Sequence, residues 1–155
     1  IIIGDYLTAH ADLRRSVIRS RVQHRVRFLG FVPVETLRVF YRSAAAFVFP
    51  SLYEGFGLPP LEAMAQGTPV VTSNVSSLPE VVGEAAVLVN PDNVFDIARG
   101  IRQALVDEEL RAALTRRGRE QVARFSWDRA ADRILEIYRE VLDRRSAARR
   151  RPTAA

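Results

Sequence analysis

Residues 46–62 read Ala46-Phe47-Val48-Phe49-Pro50-Ser51-Leu52-Tyr53-Glu54-Gly55-Phe56-Gly57-Leu58-Pro59-Pro60-Leu61-Glu62. The first four residues are apolar with no polar residue alternating between them, the pattern of a short strand covered on both faces. The glycine-rich stretch after them is a loop. Pro59 or Pro60 then opens a helix, because a proline in the first turn gives up no helical hydrogen bond. Four more short runs are read in the same way: Ile1–Ile3, Val26–Leu29 (interrupted by Arg27), Pro69–Val71 and Ala86–Val89. Helical patterns lie near 9–21, 34–44, 59–66 and, more briefly, 77–82. Strand alternating with helix predicts an α/β fold, a parallel sheet with helices on both faces.

Local signals agree with this division. Pro33 starts the segment that holds Leu37, Phe40 and Tyr41. Gly67 closes the helix ending Ala63-Met64-Ala65-Gln66, and Pro69 blocks its continuation. In the last third, Ile97, Ile101, Ala104 and Leu105 recur at helical spacing, as do Leu110, Ala113 and Leu114. After Ser126-Trp127-Asp128 the same spacing returns in Ile134, Ile137, Tyr138, Val141 and Leu142. Three helices packed on the sheet or wrapped around it are expected. Ile1 opens directly in a strand with no initiator methionine, so the chain is expected to be a piece of a longer polypeptide.

Composition narrows the chemistry. A chain of 155 residues is long enough for one domain with a real core. All 23 basic residues are arginine, cysteine is absent, and the histidines are His10 and His24. Without lysine there is no phosphate-loop lysine, Schiff base or serine–lysine pair. Without cysteine there is no disulfide, thiol nucleophile or thiolate metal site. His10 is read as a helix-surface residue and His24 as a loop residue. What remains is carboxylate, hydroxyl, arginine and backbone chemistry. The net charge of +5 comes from Arg144, Arg145, Arg149, Arg150 and Arg151, since the 18 acidic residues balance the 18 arginines of 1–143. Residues 1–143 are therefore read as the domain and 144–155 as a basic, disordered tail. That tail offers a membrane-surface contact through anionic lipid. Nucleic acid is not an expected partner, because the body carries no net charge. No apolar run approaches the ~18 residues of a membrane span, no signal peptide is visible, and absent cysteine fits a cytoplasmic protein.

In an open parallel sheet, ligands bind beyond the carboxyl ends of the strands. The 50–62 loop is the long one at such an end. Gly55 and Gly57 permit positive φ and a close approach of backbone to ligand. The helix start behind them points its free N–H groups at the loop, which suits a phosphate or diphosphate. The helix field contributes only ~0.3–1 kcal/mol when exposed and ~2 kcal/mol when partly buried, so other groups must help. Glu54 at the strand end and Glu62 in the first helical turn are those groups. Ionised carboxylates only accept hydrogen bonds, so beside a diphosphate they address the hydroxyls of a sugar or ribose. A metal site is less suited, since hard cations want more oxygen ligands than the loop supplies. On spacing alone other readings stand: Glu62 as a dipole-favoured first-turn acid, Glu54 as a solvated residue, the glycine pair as a plain turn. Pro60 in the third glycine position makes a dinucleotide motif a poor match.

Glu54 and Glu62, with seven residues between them, resemble the E-x7-E motif of retaining glycosyltransferases of family 4, which have the GT-B fold. The resemblance runs through FLGFVP, LRVFYRSAAAFVFPSLYEGFGLPPLEAMAQGTPVVTSN and SLPEVVG, and Phe125-Ser126-Trp127 with its following helix is similar to the family's C-terminal end. It implies the Rossmann-like, donor-binding C-terminal half of a GT-B enzyme with its first strand–helix unit missing. It implies that Glu54 lies near the donor sugar and diphosphate as a catalytic group and that Glu62 binds the ribose hydroxyls. The backbone of Gly55, Phe56, Gly57 and Leu58 would lie against donor sugar and phosphates, and Gly30, Phe31 and Val32 would contact the base.

The family carries an Arg and a Lys for the diphosphate on an earlier strand–loop–helix, and an N-terminal domain that holds the acceptor. This chain has neither. Losing two charge-assisted hydrogen bonds costs roughly 3–6 kcal/mol, or ~10²–10⁴ in donor affinity. Ser76 and Ser77 stand where many relatives have glycine, so ligand contact from that loop is not carried over. The implied activity is transfer of a sugar from GDP-mannose or a UDP-sugar to a hydroxyl of a glycan or lipid-linked acceptor. The expected partners are the nucleoside-diphosphate sugar and the missing acceptor-binding domain. No cofactor or metal is expected. The setting is cytoplasmic, at the inner membrane face in its peripheral form. The chain alone is expected to be inactive as a transferase. A sugar-nucleotide epimerase and a non-catalytic nucleotide-sugar-binding module are the rivals.

Overall fold

The structure, a computed structural model, describes residues 1–4 and 11–149; His10 and residues 150–155 lie outside the described residues. Its strands are β1 (Ile2–Ile3), β2 (Phe28–Gly30), β3 (Phe47–Phe49), β4 (Val70–Ser73) and β5 (Ala86–Val89). Its helices are α1 (Ala11–Arg19), α2 (Val34–Ser43), α3 (Leu58–Ala65), α4 (Leu78–Val82), α5 (Val94–Val106), α6 (Glu108–Val122) and α7 (Trp127–Arg149). Every strand pair is parallel, as the apolar runs predict. The strands form two sheets rather than one, β1-β2 and β3-β4-β5. Among the described residues no ladder joins the two sheets.

Strand β4 shows why both strand faces are apolar. Val70 packs with Tyr41, Leu61, Met64, Val81 and Val82, which belong to α2, α3 and α4. Val71 faces the other way and packs with Val89, Ala104 and Ile97, so α5 covers the opposite face. Both valines are fully buried, each stabilising the fold by ~1.5–3 kcal/mol relative to exposure. Helix α5 sits close to the sheet at Gly100. A β-carbon there would stand 2.5 Å from Val89 Cγ1. Helix α6 crosses α3 at Gly118, where a β-carbon would meet Met64 Cγ at 3.2 Å.

Local chemistry places the ends. Gly67 stops α3 at φ +82°, as its position predicts. The Asn93 side chain caps α5 by accepting from the Phe95 and Asp96 amides, and Asp107 caps α6 by accepting from Leu110. Thr68 Oγ1 donates to the Tyr41 carbonyl, tying the end of α2 to the turn before β4. The buried Gln121 Nε2 donates to the Val81 carbonyl at 2.8 Å and fastens α6 to α4. His24 lies in an exposed one-turn 3-10 helix.

The C-terminal helices depart from expectation. α5 and α6 pack on the body, but α7 does not lie on the sheet. All of its described side chains are exposed, and its stripe of Ile134, Ile137, Tyr138, Val141 and Leu142 is uncovered. The spacing encodes an apolar face without naming what covers it. Helix α7 also continues to Arg149, into the segment read as a tail, because alanine and arginine are strong helix formers. It carries too many charges to cross a membrane, and no described helix is long and apolar enough to do so.

Candidate functional site

Strand β3 ends at Phe49, and its loop runs to α3 along the carboxyl edge of the sheet. The loop turns at Gly57. This residue adopts φ +112°, and a β-carbon there would stand 2.9 Å from Cδ2 of the fully buried Leu78. Glycine is therefore required twice, by conformation and by space. Gly55 differs. Its φ is not positive, and nothing lies within 4 Å of where its β-carbon would be. The open space at Gly55 leaves room for something outside the protein to approach.

The helix start is refined in one respect. α3 begins at Leu58 rather than at a proline, and Gly57 is its N-cap. Pro59 and Pro60 follow inside the first turn and carry no N–H, so two donors that a helix start normally offers are missing. The amides of Gly55, Phe56, Gly57 and Leu58 have no hydrogen-bond partner among the described residues. They form a short row of donors at the positive end of a helix, and an anion can accept from them.

The earlier helix start also moves Glu62. It is the fifth residue of α3, in the second turn, so it does not serve as a first-turn acid complementing the dipole. Its carboxylate is instead positioned by another helix. Tyr41 Oη, on α2, donates to Glu62 Oε2 at 3.2 Å. Burial first, then the negative charge of Glu62, then this hydrogen bond hold the Tyr41 phenol well above its ordinary range, so it stays a protonated donor. Tyr41 is fixed in turn by an edge-to-face contact with Phe47 of β3, ring centroids 5.1 Å apart. One oxygen of Glu62 is thus engaged and the other is free to accept from a hydroxyl. Nothing in the sequence links positions 41 and 62. The apolar spacing of α2 marks Tyr41 as core, and that is all it marks.

Glu54 is half-buried, and its carboxylate has no partner among the described residues. Its backbone is held tightly. The Glu54 amide donates to Ser76 Oγ at 3.1 Å, and the Glu54 carbonyl accepts from Ser76 Oγ at 2.7 Å and from Ser77 Oγ at 2.9 Å. The Phe56 carbonyl lies 2.7 Å from Ser77 Oγ. On the other side the Phe56 ring meets Phe125 edge-on, centroids 5.8 Å apart. The sequence shows the two serines only as a departure from a glycine pattern, and it does not signal the role of Phe125.

Of the sequence-predicted site residues, the structure brings Glu54, Gly55, Phe56, Gly57, Leu58 and Glu62 onto one strand–turn–helix at the carboxyl edge. Gly30 is the last residue of β2, in the other sheet, Phe31 and Val32 follow it, and none of the three is bonded to that segment. Gly30 takes φ +67°, its carbonyl accepts from the Gly4 amide, and Phe31 is 77% exposed. A separate groove of about 810 Å³ lies at the opposite edge, before β3 and β4, lined by Ala44, Gly67, Arg111, Thr115 and Arg119 among others. Helices α2 and α3 end there, and the arginines complement the negative helix ends.

The family described as Glycosyl transferases group 1 matches residues 1–121. The chain is 48% identical over 140 residues to O-antigen chain mannosyltransferase B of Escherichia coli, across 90% of this chain and 37% of that protein. Among solved structures it matches sucrose-phosphate synthase from Thermosynechococcus elongatus at a TM-score of 0.78 and 33% identity, over 91% of this chain and 38% of that one. It matches Anabaena HepE in complex with UDP and glucose at a TM-score of 0.79 and 23% identity, over 89% and 39%, a likeness of fold. The chain thus spans well under half the length of each.

Proposed function

Because the chain belongs to the glycosyl transferases group 1 family, we propose that residues 1–143 are the nucleotide-sugar-binding domain of a retaining, family-4-type glycosyltransferase with a two-domain GT-B architecture. The intact enzyme moves a hexose from a nucleoside diphosphate to a hydroxyl of a glycan or lipid-linked glycan. GDP-mannose is the first candidate donor, supported by the name of the 48%-identical mannosyltransferase. A UDP-sugar is the second, supported by the UDP and glucose bound to HepE. The reaction is placed in the cytoplasm, at the inner membrane face where lipid-linked acceptors lie, and uses no metal. The epimerase and binding-module readings are not favoured, since the relatives carry transferase names.

The observation that carries this reading is the row of free amides from Gly55 to Leu58 at the start of α3, with Glu54 and Glu62 on either side. Negative charge builds on the departing diphosphate as the glycosidic bond breaks, and fixed dipoles aimed at it lower the barrier. The amide row and the helix end supply part of that field. Glu62, held by Tyr41, accepts from the ribose hydroxyls. Glu54 orients the sugar and stabilises positive charge developing at the anomeric carbon. A same-face reaction, in which the leaving phosphate takes the acceptor proton, gives retention without a covalent glycosyl-enzyme. In this scheme Glu54 acts electrostatically.

Calorimetric titration of UDP, GDP and their sugars into the domain tests the assignment. Glu62→Ala is expected to weaken whichever nucleotide binds by about tenfold, one hydrogen bond to a charged group. Unchanged affinity removes the ribose role.

A further inference from the structure

We propose that Ser76 and Ser77 are positioning residues for Glu54 and the amide row that follows it, an inference that rests on the donor-site reading above. Ser76 adopts φ +60°, one of two non-glycine residues with positive φ among those described. That conformation strains any residue with a β-carbon and leaves glycine unstrained. Ser76 is also exposed, so packing does not hold it there. Its hydroxyl does what glycine cannot. Oγ accepts from the Glu54 amide and lies within donating distance of the Glu54 carbonyl, the two-way pairing of a backbone ladder.

The ladder needs this extension. Pairing between β3 and β4 stops at Phe49 opposite Thr72, and beyond it the two chains separate. Ser76 and Ser77 rejoin them across 22 and 23 residues of sequence. Ser77 Oγ lies within reach of both the Glu54 and Phe56 carbonyls and gives its proton to one of them. With those carbonyls occupied on the β4 side, the turn leaves the amides of Gly55 to Leu58 without a partner among the described residues. A receptor of this kind works through preorganisation, because donors already in place need not be ordered when the anion arrives.

Ser76→Gly separates positioning from fold stability. It relieves the backbone strain by removing the β-carbon, and it removes the hydroxyl with it. The thermal midpoint is expected to be unchanged or raised. Hydrogen exchange at the Glu54 amide, which donates to Ser76, is expected to quicken at least several-fold. Affinity for UDP-glucose or GDP-mannose, whichever the wild-type chain binds by calorimetry, is expected to fall roughly tenfold, the net worth of about one hydrogen bond. Ser77→Ala, which frees the Glu54 carbonyl, should move exchange of the Glu54 amide in the same direction. Lost affinity with unchanged exchange at Glu54 overturns the proposal, since the hydroxyl would then be touching ligand directly. Unchanged affinity in a wild-type-like binder overturns it as well. If the wild-type chain binds neither sugar nucleotide, the donor-site reading falls by itself. Exchange then decides the clasp: faster exchange upholds it, and wild-type exchange in both variants overturns it.

Discussion

Tyr41→Phe isolates the contact that positions Glu62. Tyr41 is 6% exposed, and its ring packs edge-on against Phe47. Phenylalanine keeps that packing and removes only the hydroxyl that donates to Glu62 Oε2 at 3.2 Å. A hydrogen bond to a charged acceptor is worth ~1.5–3 kcal/mol. Glu62 is exposed, so water replaces part of the lost bond, and the remaining effect is about 1 kcal/mol. That corresponds to roughly a fivefold weaker nucleoside diphosphate complex by calorimetry. The same amount of lost stability lowers the melting temperature by about 2–4 °C for a domain of this size. In a Glu62→Ala background the substitution should leave nucleotide affinity unchanged, because the hydroxyl then has nothing to orient. An equal loss of affinity in both backgrounds would refute the reasoning.

Tyr41 also makes stability depend on alkaline pH. The unfolded chain releases this proton near the ordinary tyrosine value of 10.0, while the folded protein holds it to higher pH. The unfolded state then binds fewer protons, so stability is full below pH 10 and falls above it. Chemical denaturation across that range should show a shallower decline for Tyr41→Phe than for wild type. Gly57→Ala places a β-carbon 2.9 Å from buried Leu78 at φ +112°, a cost on the order of 1–3 kcal/mol that thermal melting should register. Gly55→Ala has open space and no positive φ, so its melting temperature should stay at the wild-type value while nucleotide affinity drops. Gly100→Ala improves helix propensity by ~1 kcal/mol, yet the 2.5 Å approach to Val89 outweighs it, and circular dichroism melting should show net destabilisation.

Much of the architecture is legible along the chain. Runs such as Phe47–Phe49 and Ala86–Val89 are apolar on both faces, and only strands lying between two helix layers need that pattern. Pro33 and Gly67 mark helix ends through backbone chemistry that acts over a few residues. The turn from Glu54 to Glu62 is legible for the same reason, since its glycines, prolines and carboxylates are local. The exact start of α3 is not, and the one-residue difference moves Glu62 out of the first turn.

The amino-acid sequence alone determined the alternating parallel fold and the glycine- and proline-bounded loop at the carboxyl edge of β3. It did so because φ preferences, missing amide protons and apolar spacing act over a few residues. Tertiary structure alone decided that Tyr41 holds Glu62 from 21 residues away and that two serines grip the backbone of Glu54 from 22 and 23 residues away. It also decided that glycine is needed at 100, and that the apolar stripe of α7 faces solvent. An apolar or polar face is a property of one element, whereas its partner depends on how separate elements pack, and no spacing within an element records that.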